Sequence, residues 1–498
     1  MSPPFSRTRF VQAALALAGA LLLDPKAALG RVRAPTLVRM SVRNVGKRYP
    51  SDRRLFATVS PGVKGRDRAS IRFALDRAAT VRLDAVRVLR GRTVVWSTEQ
   101  RLPAGDNRIW WKPDPKLLVG SYVMRLTVQD EAGNGRVYGS RRPSRPSRAI
   151  APVVRVLGVE AAFERRSYAP GEPVELTVTA DCERLTLQFL ACGTESEYTD
   201  RTDEMRGDPV GAPLSYGWAR KRSRPWTIAL TAPDWPSGVY AARLTTEDGR
   251  MGFAPLILRP ATLGTARQAV IMPTNTWQAY NYDDADGDGW GDTWYAGGMP
   301  PVRLNRPYRH RGTPPWFRRS DVPFLKFVRQ TGKSPDFLAD DDLEAFPSGD
   351  ELRRLYDLVV FPGHTEYVTK QTYDVVQRFR DLGGRLVFLT ANNFFWSVEK
   401  RGQLMDRGKL WRDRSRPESA LLGVQYRAND DGSKQAVYTI LDTASAPWLF
   451  EGTGLQNGST LGDMVGGYGI EIDTTTPFSP PETRVLARAV DVFGPGLS

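Results

Sequence analysis

A strand, a helix and a second strand follow one another near the middle of the C-terminal half, and this order most constrains the fold. Residues 358–361 form an apolar run, which predicts a buried strand over 357–361. Residues 369–382 have the spacing of an amphipathic helix, Gly383-Gly384 ends it, and residues 385–390 predict the next strand. A connection of this length makes the strands parallel. Their carboxyl ends therefore lie side by side at one rim, where open α/β sheets bind ligands.

Polar side chains follow these strands at the predicted rim. His364 and Glu366 come just after the strand at 357–361, and Asn392 comes just after the strand at 385–390. Residues 269–272 predict a third buried strand. If this strand joins the same sheet, Tyr280 reaches the same rim.

The residue types present exclude several kinds of enzyme. The α/β region contains no cysteine, which excludes a Cys–His nucleophile, and two histidines in 498 residues exclude HExxH and three-histidine zinc sites. Walker, GxGxxG and Gly-x-Ser-x-Gly patterns are also absent. What is left is a set of oxygen donors that suits a hard cation such as ferric iron: Tyr280, Tyr282, Tyr295, Tyr308, Glu366 and Tyr367. The alternative interpretation is that these aromatic, asparagine-rich loops only pack and hydrogen-bond.

The chain upstream of residue 265 has an all-β pattern. Short alternating runs with frequent turns predict a β-sandwich over 55–140 and a second one over 153–260. Residues 120–134 resemble the Ig-like domain of flagellar-hook capping proteins, a module that spaces or binds. The basic, proline-bearing stretch 141–148 indicates a linker.

The N-terminal segment predicts export. Arg7 and Arg9 precede an apolar run over 13–23, so residues 1–30 are expected to be a signal peptide or an uncleaved anchor. The route is Sec or a variant twin-arginine pathway, and the destination is the periplasm, the cell exterior or the cell envelope. In such a compartment Cys182 and Cys192 either form one disulfide across a hairpin or stay as two buried thiols.

Charge favours one class of partner over another. The net charge of +15 predicts attraction to an anionic cell envelope. Nucleic-acid binding is not expected, because the sequence lacks RNP, zinc-finger and helix-turn-helix patterns.

An acidic insertion resembles part of a calcium loop. Asp284, Asp286 and Asp288 precede Gly289 as in the first half of an EF-hand, and Asp292 falls at the ninth position. Tyr295 stands where an EF-hand has its bidentate glutamate. The sequence therefore predicts either a Ca²⁺ site or a solvated acidic turn.

Five ordered motifs resemble the C-terminal domain of the N,N-dimethylformamidase large (beta) subunit family over roughly 265–495. They are Asn275-Thr276-Trp277-Gln278-Ala279-Tyr280-Asn281, Asn305-Arg306-Pro307-Tyr308, Pro362-Gly363-His364-Thr365-Glu366-Tyr367-Val368, Asn392-Asn393-Phe394-Phe395-Trp396 and Gly469-Ile470-Glu471-Ile472-Asp473. The resemblance implies an α/β domain of the class I glutamine amidotransferase-like (flavodoxin-like) type over 265–498. It also implies one ferric iron held by two tyrosines and a glutamate, hydrolysis of an amide, and a separately encoded small subunit.

The resemblance also implies roles for individual residues. Glu366 matches the carboxylate ligand and Tyr280 the first phenolate; Tyr308 is the choice for the second, with Tyr295 as its competitor. His364 and Asn392 match groups that orient the ligands or the substrate. Glu471 matches the general base.

The sequence thus supports a hypothesis and an alternative. The hypothesis is an exported, iron-dependent amide hydrolase that acts on a C–N bond of a small amide, with two Ig-like sandwiches ahead of the α/β domain and either a small subunit or self-association. The alternative is a non-catalytic envelope-binding protein with Ig-like modules and a degenerate α/β domain.

Overall fold

Three units follow one another along the chain, each with its own buried core. The computed structural model describes residues 34–46, 48–89, 91–142, 151–194, 204–222, 224–295, 300–429, 437–462 and 471–489. The predicted signal or anchor at 1–30 and most of the predicted linker at 141–148 lie outside these residues. We call the units the first sandwich (residues 37–156), the second sandwich (160–258) and the α/β unit (268–489).

Alternation of apolar and polar residues builds the first sandwich. Within the described residues its strands are β1 (Leu37–Asn44), β2 (Phe56–Val59), β3 (Ala69–Leu75), β4 (Ala79–Val88), β5 (Arg92–Leu102), β6 (Gly105–Trp111), β7 (Gly120–Gln129), β8 (Gly135–Tyr138) and β9 (Val153–Val156). The sheets β1-β3-β6 and β2-β9-β7-β4-β5, with β8 on β7, pack their apolar faces together. Ile71 of β3 and Val81 of β4 are fully buried between them.

Two strands of this sandwich lie outside the predicted range of 55–140. β1 pairs with β3, and β9 pairs with β7 and β2. Both pairings join segments that are distant in the sequence, so local alternation cannot reveal them.

The second sandwich has the same two-layer construction. Within the described residues its strands are β10 (Glu160–Phe163), β11 (Ser167–Tyr168), β12 (Pro173–Thr179), β13 (Arg184–Ala191), β14 (Asp208–Gly217), β15 (Trp226–Thr231), β16 (Gly238–Thr246) and β17 (Met251–Leu258). The sheets are ordered β10-β12-β15 and β11-β17-β16-β13-β14. Leu176 and Leu187, both fully buried, face each other's sheets in the core.

The two cysteines lie at opposite ends of one strand. Cys182 precedes β13 and Cys192 follows it. Ten residues of strand span about 33 Å, whereas a disulfide requires Cα atoms roughly 4.4–6.8 Å apart. The structure has no disulfide between Cys182 and Cys192, so of the two alternatives it supports two thiols.

We expect unreduced, denatured protein to titrate two thiols per chain with Ellman's reagent. In the native protein Cys182 should not react, because it is 1% exposed and burial raises the pKa of its thiol to about 12. Cys192, which is half-buried, should react slowly. A Cys192→Ser variant serves as the control and should titrate one thiol; fewer than two in the wild type would show that a disulfide forms.

The α/β unit alternates strands and helices as predicted. Within the described residues its elements are β18 (Gln268–Met272), α1 (Thr274–Ala279), β19 (Val302–Arg303), α2 (Val322–Gln330), β20 (Asp336–Ala339), α3 (Asp340–Glu344), α4 (Gly349–Leu355), β21 (Leu358–Phe361), β22 (Tyr367–Thr369), α5 (Lys370–Asp381), β23 (Arg385–Phe388), β24 (Trp396–Arg401), β25 (Leu404–Leu410), α6 (Glu418–Leu422), β26 (Gln425–Asn429), β27 (Tyr438–Ile440), α7 (Pro447–Phe450), β28 (Thr460–Leu461), β29 (Glu471–Thr474) and β30 (Ala487–Ala489). Helix α5 begins after Thr369, whose hydroxyl accepts a hydrogen bond from the Thr372 amide at 3.2 Å.

A four-stranded parallel sheet forms the centre of this unit. Its order is β20-β18-β21-β23, and every pairing is parallel. One face packs on α3, α4 and α5. The other face packs on α2 and on β16 and β17 of the second sandwich, where Val270, Val239 and Phe253 share one buried cluster. The second sandwich therefore takes the place that a layer of helices would occupy on that side.

Smaller sheets complete the unit on either side of the rim. They are ordered β19-β25-β24-β22, β26-β29 and β28-β27-β30. Over the part of the chain that the structure describes, none of the helices is both long and apolar enough to span a bilayer.

Candidate functional site

The loops that follow β18, β21 and β23 meet at the carboxyl end of the parallel sheet, as strand polarity predicts. Phe394 donates its amide to the Thr365 carbonyl at 2.8 Å, and Trp396 donates to the Glu366 carbonyl at 2.9 Å. The Glu366 amide donates to the hydroxyl of Thr276 on α1 at 3.1 Å. These backbone contacts fix Glu366 between the other two loops.

Tyr280, Glu366 and His364 form the centre of the site. Tyr280 ends α1, and its hydroxyl donates a short hydrogen bond to Glu366 Oε2. His364 Nε2 lies 3.2 Å from the Tyr280 hydroxyl and 3.4 Å from Glu366 Oε2. His364 Nδ1 donates to the Ala391 carbonyl at 3.1 Å, which fixes the ring plane. Glu366 and Tyr280 are 4% and 7% exposed, so these oxygens meet away from bulk water.

A second carboxylate reaches the same imidazole from a different part of the chain. Glu471, the first residue of β29, places Oε2 3.5 Å from His364 Nε2. Asn392 donates from Nδ2 to Glu471 Oε1 at 3.2 Å. Asn392 has φ +58°, a left-handed conformation that asparagine tolerates better than most residues. The structure thus brings together Tyr280, His364, Glu366, Asn392 and Glu471, all of them named from the sequence.

Burial and charge shift the pKa values of these groups. Burial alone would lower the pKa of His364, but the neighbouring Glu366 and Glu471 outweigh it and raise that pKa to about 9. Burial, and then the charge of Glu366, raises the pKa of Tyr280 well above its usual value. Burial also raises the pKa of Glu471, while His364 acts in the opposite direction. The site therefore places two carboxyl groups against one imidazole whose pKa they raise.

Three other phenols differ in their relation to this centre. Tyr308 does not pack with Tyr280: it belongs to the cluster between the sheet and the second sandwich, and its hydroxyl lies beside Gln278. Tyr295 lies with its ring 4.8 Å from the Tyr280 ring. Tyr367 lies in the same cluster as these two, with its hydroxyl beside Glu366 and Arg407.

The position of Tyr308 has a simple geometric cause. Gln278 and Tyr280 are two residues apart at the end of α1, so their side chains point to different sides of the helix. Tyr308 approaches on the Gln278 side. Motif order alone could not show this, because the chain between Tyr280 and Tyr308 folds back through the acidic loop.

Several residues that support the site were not singled out from the sequence. Asn393 accepts the Thr365 amide at 3.1 Å, and Asp473 accepts the Asn392 amide at 2.9 Å. Both fall inside motifs that the sequence analysis quoted. Burial raises the pKa of Asp473 to about 6.

Asp321 carried no sequence signal. It ends a π-helical turn, Phe317–Asp321, is 1% exposed, and accepts from Trp277 Nε1 at 3.1 Å. Burial raises its pKa to about 7, with Trp277 and His364 acting in the opposite direction. Only the tertiary structure brings this carboxyl near His364.

The acidic loop lies away from this centre, against the first sandwich. One carboxylate oxygen from each of Asp284, Asp286 and Asp288 lies within 4.8 Å of the others, as the calcium pattern predicts. Arg142, however, already pairs with Asp288 at 2.9 Å and with Asp292 at 3.2 Å. The loop therefore joins the α/β unit to the first sandwich, and calcium binding stays a prediction from the sequence.

The sequence also matches known proteins. The profile described as N,N-dimethylformamidase beta subunit-like, C-terminal, matches residues 214–494. This match starts within β14, so it includes the second half of the second sandwich as well as the α/β unit. The N,N-dimethylformamidase beta subunit of Alcaligenes sp is 23% identical over an alignment 247 residues long, which covers 43% of this chain and 32% of that protein. The Paracoccus aminophilus protein of the same name is 22% identical over the same shares.

These relatives are longer than the matched part. The match spans about a third of their length, 32%. Among solved structures, the Yersinia pseudotuberculosis adhesin InvE aligns at TM-score 0.16 and 12% identity, covering 45% of this chain and 58% of that one. A Salmonella alpha-2-macroglobulin aligns at TM-score 0.23 and 8% identity, covering 44% of this chain and 16% of that one. Likenesses this low carry no argument about the fold. The profile match covers more than half of the chain, which therefore belongs to the N,N-dimethylformamidase beta subunit-like, C-terminal, family.

Proposed function

We propose that this chain is an exported amide hydrolase that cleaves a C–N bond of a small amide with the help of ferric iron. The observation that carries the proposal is the meeting of Tyr280, Glu366 and Glu471 around the single imidazole of His364. The family relatives are named for dimethylformamide, and this supports an amide as the substrate class. Their designation as beta subunits supports a separately encoded partner subunit.

The donor set fits ferric iron. Buried phenol and carboxylate oxygens are hard donors, which prefer a hard cation to zinc or copper. The Tyr280 hydroxyl donates a hydrogen bond to Glu366 Oε2, so a phenol oxygen and a carboxylate oxygen already lie in contact. Glu366 and Tyr280 would hold the iron.

We assign the second phenolate to Tyr295. Its ring packs on that of Tyr280, whereas the hydroxyl of Tyr308 lies beside Gln278. The hydroxyl of Tyr367 lies beside Glu366 but also beside the Arg407 guanidinium, whose positive charge disfavours a second cation there. This assignment replaces Tyr308, the choice from motif order.

Residues of this chain supply the other catalytic roles. The chemistry that iron supplies when bound is polarisation of an amide carbonyl and a lower pKa for a bound water. Glu471 accepts a proton from the attacking water, and Asn392 holds its carboxylate through Oε1. His364 holds the carboxylates of Glu366 and Glu471 in fixed positions, since its Nε2 lies within 3.5 Å of both.

The two sandwiches and the α/β unit fit the proposed architecture. We propose that the sandwiches are Ig-like modules and that the α/β unit has the class I glutamine amidotransferase-like (flavodoxin-like) fold. Parallel strands with ligand-facing loops at their carboxyl ends, and two-sheet sandwiches with Val, Leu and Ile in their cores, support this.

Three tyrosine variants test the metal assignment. We expect wild-type protein loaded with ferric iron to show a visible tyrosinate-to-iron absorption band. Tyr280→Phe and Tyr295→Phe should weaken the band and lower amide hydrolysis by more than the roughly 10–100-fold seen when only an orienting group is lost. Tyr308→Phe is the matched control and should keep the absorption band and the rate of amide hydrolysis. Loss of the band in Tyr308→Phe, with retention in Tyr295→Phe, would return the assignment to motif order.

A substrate screen separates the enzyme from its alternative. Formamide, N-methylformamide, N,N-dimethylformamide and acetamide would be assayed for amine or ammonia release, with and without ferric iron. Iron-dependent turnover of any of them supports the hydrolase. If the protein binds no iron and hydrolyses none of them, the non-catalytic envelope-binding protein is the better account.

A further inference from the structure

Nearly all of the excess positive charge belongs to the first sandwich and its flanks. Residues 34–142 carry 23 Lys and Arg against 9 Asp and Glu, a difference of +14, while the whole chain has a net charge of +15. Residues 151–498, which contain the second sandwich and the α/β unit, carry 40 Lys and Arg against 45 Asp and Glu, a difference of −5. Any electrostatic attraction to an anionic partner acts mainly on this one unit.

Within the first sandwich, one sheet face gathers arginines. The sheet β1-β3-β6 turns Ile71 and Ile109 inward, so the alternate residues point to solvent. Arg72 of β3 lies directly opposite Arg108 of β6. We call the outward side the basic face; its exposed arginines are Arg39, Arg43, Arg68, Arg72 and Arg108.

An exposed tryptophan lies among these arginines. Trp110 of β6 is 42% exposed, and the guanidinium carbons of Arg68 and Arg108 lie 5.3 and 5.4 Å from its ring centre. The basic face thus presents an aromatic ring together with its charges.

The acidic residues of this sheet do not neutralise the basic face. Asp106 pairs with Arg39, and Asp67 pairs with Lys112. Within the part of the chain that the structure describes, no salt bridge joins a carboxylate to Arg43, Arg68, Arg72 or Arg108. These four charges are available to a partner.

We propose that the basic face binds the surface of an anionic phospholipid bilayer. The charge is complementary, and basic residues near such a surface strengthen binding roughly fivefold each. Tryptophan prefers the interface between headgroups and hydrocarbon, which suits the exposed Trp110.

The position of the apolar run in the sequence also supports a membrane surface as the partner of the basic face. The apolar run 13–23 ends 14 residues before Leu37, where β1 begins. An extended segment of that length reaches at most about 50 Å. Wherever the apolar run is held in a membrane, the basic face can therefore reach its surface.

Co-sedimentation of the full chain with vesicles tests the proposal. Phosphatidylglycerol-containing vesicles would be compared with pure phosphatidylcholine vesicles, at low salt and in 0.5 M NaCl. Any contribution of the apolar run is shared by both compositions and all variants, so it cancels in the comparison. We expect binding to the anionic vesicles to exceed binding to the neutral ones and to fall in high salt.

Two double variants locate the interaction. Arg72→Glu with Arg108→Glu should weaken binding to anionic vesicles at least 25-fold, at roughly fivefold for each charge lost. Lys221→Glu with Arg224→Glu is the matched control, because these cations flank the exposed Trp226 of the second sandwich at 5.1 and 5.8 Å. This pair carries the same change in charge and should keep binding within a few-fold of wild type. Thermal melts of both variants should match the wild type, since all four side chains are outside the cores.

Three results would overturn the proposal. One is equal binding to neutral and anionic vesicles. Another is an equal loss of binding in the two double variants, which would show a response to net charge rather than to the basic face. The third is displacement of the protein from anionic vesicles by an equal concentration of charge in duplex DNA, which would assign the basic face to nucleic acid.

Discussion

Replacing Glu366 with alanine is expected to remove bound iron and to abolish amide hydrolysis. The carboxylate is 4% exposed, touches both the Tyr280 hydroxyl and His364, and has its backbone fixed by Thr276 and Trp396. Since a residue that only orients a ligand is worth roughly 10–100-fold in metal affinity or activity, loss of a direct ligand should cost more than 100-fold. Metal analysis of the purified variant and an amide assay with added ferric iron measure the two effects.

Glu399→Ala provides the matched control for this variant. Glu399 lies on β24, next to the same rim, but its side chain is exposed. We expect Glu399→Ala to keep wild-type iron content and activity. The metal assignment fails if Glu366→Ala still binds iron stoichiometrically.

Replacing Gly312 with alanine is expected to be the most destabilising single methyl addition. Gly312 has φ +97°, and a Cβ there would lie 1.7 Å from the carbonyl oxygen of Phe253 in β17. That oxygen belongs to backbone in a central strand, so it cannot rotate away. The turn at His310–Gly312 and the second sandwich would have to separate, and we expect a loss of about 3 kcal/mol or more in unfolding free energy.

Gly332→Ala separates the cost of the clash from the cost of the backbone conformation. Gly332 has φ +66°, and a Cβ there would meet nothing within 4 Å. The Gly332→Ala substitution should lower the unfolding free energy by only about 1–2 kcal/mol, the penalty of a left-handed conformation for a residue with a side chain. In a thermal melt, Gly312→Ala should lower the midpoint clearly more than Gly332→Ala. Equal shifts would show that the contact with Phe253 does not constrain the fold.

The local pattern of the sequence determined the parallel sheet closely. Predicted strands at 269–272, 357–361 and 385–390 correspond to β18, β21 and β23, and the predicted helix at 369–382 corresponds to α5. These elements are short-range features: apolar runs of strand length, a 3.6-residue repeat and a glycine pair that ends the helix. The length of the connections then showed that the strands are parallel. Because parallel strands end at the same edge of a sheet, Tyr280, Glu366 and Asn392 were expected to meet at one rim.

Other parts of the site depended on chain segments that lie far apart. Glu471 reaches His364 from β29, about a hundred residues beyond it, and the residues were linked beforehand only by a family resemblance. Tyr308 follows Tyr280 in the order of motifs that carries the family resemblance, but it approaches the opposite side of α1. Asp321 gave no sign in the sequence at all, because a π-helical turn has no local signature of its own.

The two sandwiches also combine features that the sequence predicted with features that depend on tertiary contacts. Alternating residues predicted two sandwiches, yet the pairing of β1 with β3 and of β9 with β7 extended the first one beyond its predicted limits. Cys182 and Cys192 are close in sequence, but a straight strand keeps them apart. The +14 charge of residues 34–142 is a property of composition, and only the sheet register gathers part of it on one face with Trp110.

The sequence by itself therefore determined the kinds of element, the direction of the central strands and the residues that line the rim. These follow from periodicity and chain connectivity, which act over fewer than about 30 residues. The tertiary structure alone decided which phenol joins Tyr280, which carboxylates face His364 and which arginines share a surface. Such choices depend on helix faces, strand registers and the packing of one unit on another, and these are fixed only when distant segments are in contact.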